Sequence, residues 1–186
     1  GEMNSVPLKG KPFILSMARL HPQKAPDVLL EAFANLAKTD PTIHLVLAGP
    51  DYGMKGFLEK RIRELGLEDR VFLPGCIEGK EKWAMLHACS CFCLPSRAEG
   101  FSLALLEAAL AGVPLVFSPE CYFDALVEVG AVALARVTAD DLSRVLQTVM
   151  EEEPLQMEAG RKLVLEAYQW EDISQRLLKA YEEVLH

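Results

Sequence analysis

The sequence predicts an α/β fold built on a doubly wound parallel sheet of about six strands. Short apolar runs of strand length alternate with segments of helical apolar spacing along the first three quarters of the chain. The strand runs are apolar almost throughout, as a sheet covered by helices on both faces requires, rather than alternating in and out. The chain has 186 residues, 51% of them hydrophobic and 25% charged, which suits one self-sufficient core. No uninterrupted apolar run approaches the roughly 20 residues of a membrane span.

Residues 1–11 are polar and proline-containing and read as a linker, so the domain is expected to span 12–186. The first strand is Phe-Ile-Leu-Ser-Met-Ala at 13–18, followed by a helical pattern at 26–38. The run at 43–49 is the second strand, followed by a helical pattern at 55–65. A third strand at 71–74 leads to a helix at 80–88, and the cysteine-rich run at 91–94 is the fourth strand. The apolar helix at 102–111, the strand at 115–118, a helix at 122–129 and a strand at 131–135 complete the alternation. From about 138 the pattern turns helical, at 139–152, 154–168 and 171–185. The last carries an apolar stripe of Ile173, Leu177, Leu178, Tyr181 and Leu185. These helices are expected to pack on the sheet.

Right-handed crossovers put every strand's C-terminus on one edge of such a sheet. Arg19, Gly49, Gly75 and Glu99 each fall just after a predicted strand, so topology brings four separate segments to one crevice. Glu99 and Glu107 bracket a glycine turn that feeds a helix N-terminus. The open backbone N–H groups there, with Gly100, Phe101 and Ser102, form a seat for a diphosphate. The two carboxylates can accept hydrogen bonds from sugar hydroxyls on either side of it. A carboxylate before a helix can also simply complement the dipole, and glycines at strand ends are most often turn residues.

The net charge of −8 argues against a nucleic-acid partner, so an anionic ligand needs a local basic pocket, which Arg19 and Lys24 can supply. No Gly-x-Gly-x-x-Gly follows the first strand, which weakens a dinucleotide-dependent reading. Cys76, Cys89, Cys91, Cys93 and Cys121 are odd in number. Three of them alternate along one strand in a spacing that suits neither a mutual disulfide nor a closed metal site. Buried, reduced thiols are expected, which with the lack of a signal peptide points to the cytosol.

The run Glu-Gly-Phe-Ser-Leu-Ala-Leu-Leu-Glu-Ala-Ala-Leu-Ala-Gly-Val-Pro, 99–114, resembles the signature of glycosyltransferase family 4, retaining enzymes of the GT-B fold. Ala18-Arg19-Leu20-His21-Pro22-Gln23-Lys24 resembles the same family's arginine and lysine pair. The likeness extends from about Pro12 to the C-terminus and covers only the donor-binding half, one Rossmann-like domain of the two. It implies that Glu99 touches the transferred sugar, Glu107 accepts the ribose hydroxyls, Arg19 and Lys24 neutralise the leaving diphosphate, and Ile77 lines the base pocket. It implies no cofactor and no bound metal, a nucleotide-diphospho-sugar as donor substrate, and an N-terminal acceptor-binding domain in the same or another chain. The match to the start of the family's last helix is Trp170-Glu171. Two positions depart from the pattern, Ala18 and Ala25 standing where glycine is usual, and the segment 118–124 lacks a glycine pair that many members carry. A non-catalytic nucleotide-sugar-binding or interaction module derived from such an enzyme is the alternative, favoured by those departures and opposed by the four retained charges.

Overall fold

The computed structural model describes residues 6–8, 10–151 and 155–167. Six strands form a single parallel sheet: β1 (Phe13–Met17), β2 (His44–Ala48), β3 (Val71–Gly75), β4 (Cys91–Leu94), β5 (Leu115–Phe117) and β6 (Val132–Leu134). Their order is β3-β2-β1-β4-β5-β6, with β1 paired to both β2 and β4. The chain builds one half outward from β1 and then returns to build the other. The reversal leaves a crevice between the loops that follow β1 and β4.

The helices are α1 (Pro26–Thr39), α2 (Lys55–Leu65), α3 (Gly79–Ala88), α4 (Leu103–Ala111), α5 (Asp124–Glu128), α6 (Ala139–Glu151) and α7 (Met157–Ala167). Alternate strand residues point to opposite faces, and each face carries its own core. Ile14, Leu45, Leu47, Cys91, Cys93 and Val116 pack under α1, α2 and α6. Phe13, Leu15, Val46, Phe92, Leu94 and Phe117 pack under α3, α4, α5 and α7.

Several expectations need correction. Val6 and Leu8, expected in a linker, are buried in the second of these cores, and the Leu8 carbonyl accepts a bond from the Lys11 N–H. Two apolar side chains that remove this much surface from water belong to the fold. The helix expected at 122–129 is shorter, because a 3-10 turn at Pro119–Cys121 ends with Tyr122 in the left-handed region (φ 50°), a backbone that no helix continues. β1, β2, β5 and β6 end one residue inside the apolar runs, β4 matches its run, and β3 continues one residue further, to Gly75. The helix expected at 171–185, its stripe and Trp170 lie outside the described residues. Among the described residues no helix is long and apolar enough to cross a membrane.

Four of the five cysteines are buried as expected and all are free, whereas Cys76 is exposed on the loop after β3. Burial pushes the Cys89 thiol up to about 12 and raises Cys91 and Cys93 well above the ordinary thiol range. These thiols are inert packing groups.

Candidate functional site

The loop after β1 is shaped by local capping. His21 Nδ1 accepts a hydrogen bond from the Gln23 N–H at 3.1 Å and so starts a 3-10 turn at Pro22–Lys24. Ala25 then takes a left-handed conformation (φ 50°, ψ 44°) to launch α1, with Pro26 in its first turn. Such a conformation suits glycine, so the glycine expected at this position has a steric reason, and the alanine here costs roughly 1–2 kcal/mol of backbone strain.

This turn is stapled to the loop after β4. The Gln23 carbonyl accepts from the Arg97 N–H at 2.7 Å and from Ser96 Oγ at 3.2 Å, and Gln23 Nε2 donates to the Ala98 carbonyl at 3.0 Å. Arg97, to which the sequence assigned no role, donates to the Pro22 carbonyl and pairs with Asp27. The loop after β5 holds Glu99 from behind, its N–H donating to the Glu120 carbonyl at 3.1 Å. Together these bonds set Lys24 Nζ against Glu99 Oε2 as an ion pair, with both side chains only 11% exposed. Opposite charges 75 positions apart in sequence thus meet at the switch point of the sheet.

Ser102 caps α4, its hydroxyl accepting from the Leu105 N–H at 3.3 Å. The first two N–H groups of the helix, on Leu103 and Ala104, have no acceptor within it. Gly100 and Phe101 precede this end and are exposed, Phe101 lying 6.2 Å from the ring of Phe123. Gly100 is not in a positive-φ conformation, and a Cβ there would meet nothing within 4 Å, so the turn needs no glycine for its own geometry.

A cleft of about 220 Å³ opens along the ends of β1, β2 and β3, with α4 as its other wall. Arg19, Gly49, Ile77, Ala104 and Glu107 line it. Its floor is a chain of backbone bonds, Ala18 N–H to the Ala48 carbonyl (2.9 Å) and Gly49 N–H to the Gly75 carbonyl (2.7 Å). Gly49 has φ 148°, and a Cβ on it would lie 1.9 Å from the Ala18 carbonyl oxygen. Gly75 has φ 81° and turns the chain out of β3, but it does not line the cleft. Arg19 is exposed, its guanidinium 5.2 Å above the Tyr52 ring, and it also borders a small recess that contains Lys24.

Sequence reasoning missed Lys82. Its ammonium pairs with Glu107 Oε1 across the gap between α3 and α4, holding a carboxylate that would otherwise stand alone on an apolar helix. The helical period places Lys82 toward α4, but only the sheet order shows that α3 and α4 are neighbours. Glu120 was missed too: its Oε2 is buried and has no hydrogen-bond partner among the described residues. Among those residues, no group of three or more His, Cys, Asp or Glu is placed to hold a metal ion.

The family model of glycosyl transferases group 1 matches residues 2–170. The chain belongs to this family. It is 29% identical to the MMP alpha-(1->4)-mannosyltransferase of Mycolicibacterium hassiacum over an alignment 188 positions long, which covers 97% of this chain and 41% of the relative. The chain therefore spans less than half of that enzyme's length. Two solved structures illustrate the architecture. HepE from Anabaena, in complex with UDP and glucose, superposes with a TM-score of 0.78 at 23% identity, covering 95% of this chain and 49% of that one. The C-terminal domain of the group 1 protein LpcC from Francisella tularensis gives a TM-score of 0.74 at 18% identity, covering 91% and 94%. The expected fold class is thereby shown.

Proposed function

We propose that this chain is the C-terminal, donor-binding half of a retaining family 4 glycosyltransferase of the GT-B fold, and that it holds a nucleotide-diphospho-sugar in the cleft beside α4. The observation that carries this reading is the Lys24–Glu99 pair just before α4, with Arg19 bordering both the recess that contains Lys24 and the cleft that Glu107 lines. The match over nearly the full length of a solved C-terminal domain supports it.

In this reading the diphosphate lies at the α4 N-terminus, where the helix dipole and two open N–H groups meet it. Lys24 turns part of its hydrogen bonding from Glu99 to the phosphate, and Arg19 swings from Tyr52 to the same charge. Both stabilise negative charge that builds on the leaving diphosphate. Glu99, relieved of its full share of Lys24, accepts from hydroxyls of the transferred sugar near the reacting carbon. Glu107, held by Lys82 through one oxygen, keeps the other for the ribose. The acceptor hydroxyl attacks from the face the diphosphate leaves, and the diphosphate takes its proton. No resident metal enters this scheme, and the acceptor is held by an N-terminal domain in the same or another chain.

A non-catalytic nucleotide-sugar module is the second reading, and the strained Ala25 beside Lys24 favours it. Calorimetric titration with UDP, ADP and GDP tests the donor site. At least one is expected to bind, and Lys24→Ala is expected to weaken that binding about tenfold or more, the worth of a charge-assisted hydrogen bond. Lack of binding by all three at millimolar concentration would overturn the reading.

A further inference from the structure

The cleft contains a carboxylate that the scheme above leaves without a task. Glu78 lines it from the loop after β3 and is exposed. It occupies the N-cap position of α3, yet its side chain makes no cap hydrogen bond, and it has no ion pair among the described residues. The ammonium one helical turn along, Lys82, is bound to Glu107 instead. An uncompensated negative charge in a cleft meant for a diphosphate works against that ligand unless another part of the ligand uses it.

The order of groups along the cleft says which part. With the diphosphate at the α4 N-terminus and the ribose on Glu107, the Lys82–Glu107 bond ties the ribose position to α3. The base then extends over the ends of β2 and β3, across Gly49, Pro50 and Ile77, toward the N-terminus of α3 where Glu78 stands. A carboxylate offers two parallel acceptors and no donor. Guanine answers with two adjacent donors, its N1–H and its 2-amino group. Uracil offers one N–H between two carbonyls that a carboxylate repels, and adenine sets its amino group beside a ring lone pair.

Resting on the donor-site reading, we propose that Glu78 recognises the base and that the donor is a guanosine-diphosphate sugar. The two hydrogen bonds run from guanine N1–H and N2–H to the two oxygens of Glu78, a bidentate contact that discriminates by tenfold or more.

Titration calorimetry of this chain with GDP, UDP and ADP, repeated on Glu78→Gln and Glu78→Ala, is the test. GDP is expected to bind about tenfold or more tighter than UDP or ADP. Both variants are expected to bring the GDP-to-UDP ratio toward unity, Gln included because its amide supplies one acceptor and an opposing donor. Glu78 is exposed and caps nothing, so unchanged melting curves are expected and verify that the variants are folded. Equal or tighter binding of UDP, or a GDP-to-UDP ratio that neither variant changes, overturns the base assignment and leaves the diphosphate site standing. No binding by any of the three overturns both.

Discussion

Gly49 and Gly100 show how differently two glycines of one site are determined. At Gly49 the backbone itself demands the residue, because φ is 148° and a Cβ would lie 1.9 Å from the Ala18 carbonyl oxygen. Neither atom can move without breaking the bond between Ala18 and Ala48 that joins β1 to β2. Gly49→Ala is therefore expected to cost about 2–4 kcal/mol or more in urea denaturation, as steric conflict at a constrained backbone does. At Gly100 a Cβ meets nothing, so Gly100→Ala is expected to keep its denaturation midpoint within about 0.5 kcal/mol of the parent. A stable Gly49→Ala protein would refute the close approach. The sequence presents both as glycines after strands and cannot separate them, since one answers to the backbone leaving the neighbouring strand and the other to nothing among the described residues. Ala25 was legible through the family resemblance, which places glycine at that position, and its φ of 50° gives the reason.

β2 carries a titratable group into the sheet. His44 opens the strand, is 8% exposed, stacks on Phe72 with ring centroids 6.3 Å apart, and leaves Nδ1 without a hydrogen-bond partner among the described residues. Burial holds its imidazole below the usual histidine range, with Lys11 and Arg70 pushing the same way against a backbone bond to Pro12. The unfolded chain takes up a proton near pH 6.5 while the folded one still resists it, so stability falls as pH drops below that value. The urea midpoint is expected to fall between pH 7 and pH 5, and His44→Leu is expected to flatten that part of the profile. An unaltered slope in the variant would show that His44 is not its source. Asp40, Asp51 and Asp141 are held below the ordinary carboxylate range by hydrogen bonds, chiefly from Thr42, Lys55 and Arg144 respectively, so their stabilisation is lost only in more acid solution, below about pH 4. Elements of this kind were readable in advance, because unbroken apolar runs such as Leu45–Val46–Leu47 need cover on both faces. The piece after β5 was not. Pro119 to Tyr122 has helical composition on its C-terminal side, but a left-handed tyrosine closes the turn, and no local pattern announces that conformation.

At the scale of the molecule, the switch in strand order brings the site together. Lys24 and Glu99 follow β1 and β4, which are neighbours only because the second half of the chain returns to pair with β1. The motif residues were legible as types, and alternation of strands and helices was enough to place them on one edge. Their partnerships were not legible, since Lys82 with Glu107 and Glu120 behind Glu99 depend on which helices and loops abut. The same topology limits what one such sheet can do. The cleft is lined by the ends of β1 and β2, the loops after β1, β2 and β3, and α4, and the mannosyltransferase that this chain matches is more than twice as long. On the proposed reading this wall aligns the leaving group but not the attacking hydroxyl, and such alignment can supply roughly 7–11 kcal/mol of a two-substrate barrier. The chain by itself is therefore expected to bind donor while releasing sugar to water or to an added acceptor at no more than background rate, measured as nucleoside diphosphate formed. Joined to an upstream acceptor-binding domain, it is expected to accelerate transfer by several orders of magnitude, and Glu99→Gln in the joined protein is expected to lower the turnover more than the donor affinity. Rapid transfer by the chain alone would mean that this cleft also seats the acceptor, and the second wall would then be unnecessary.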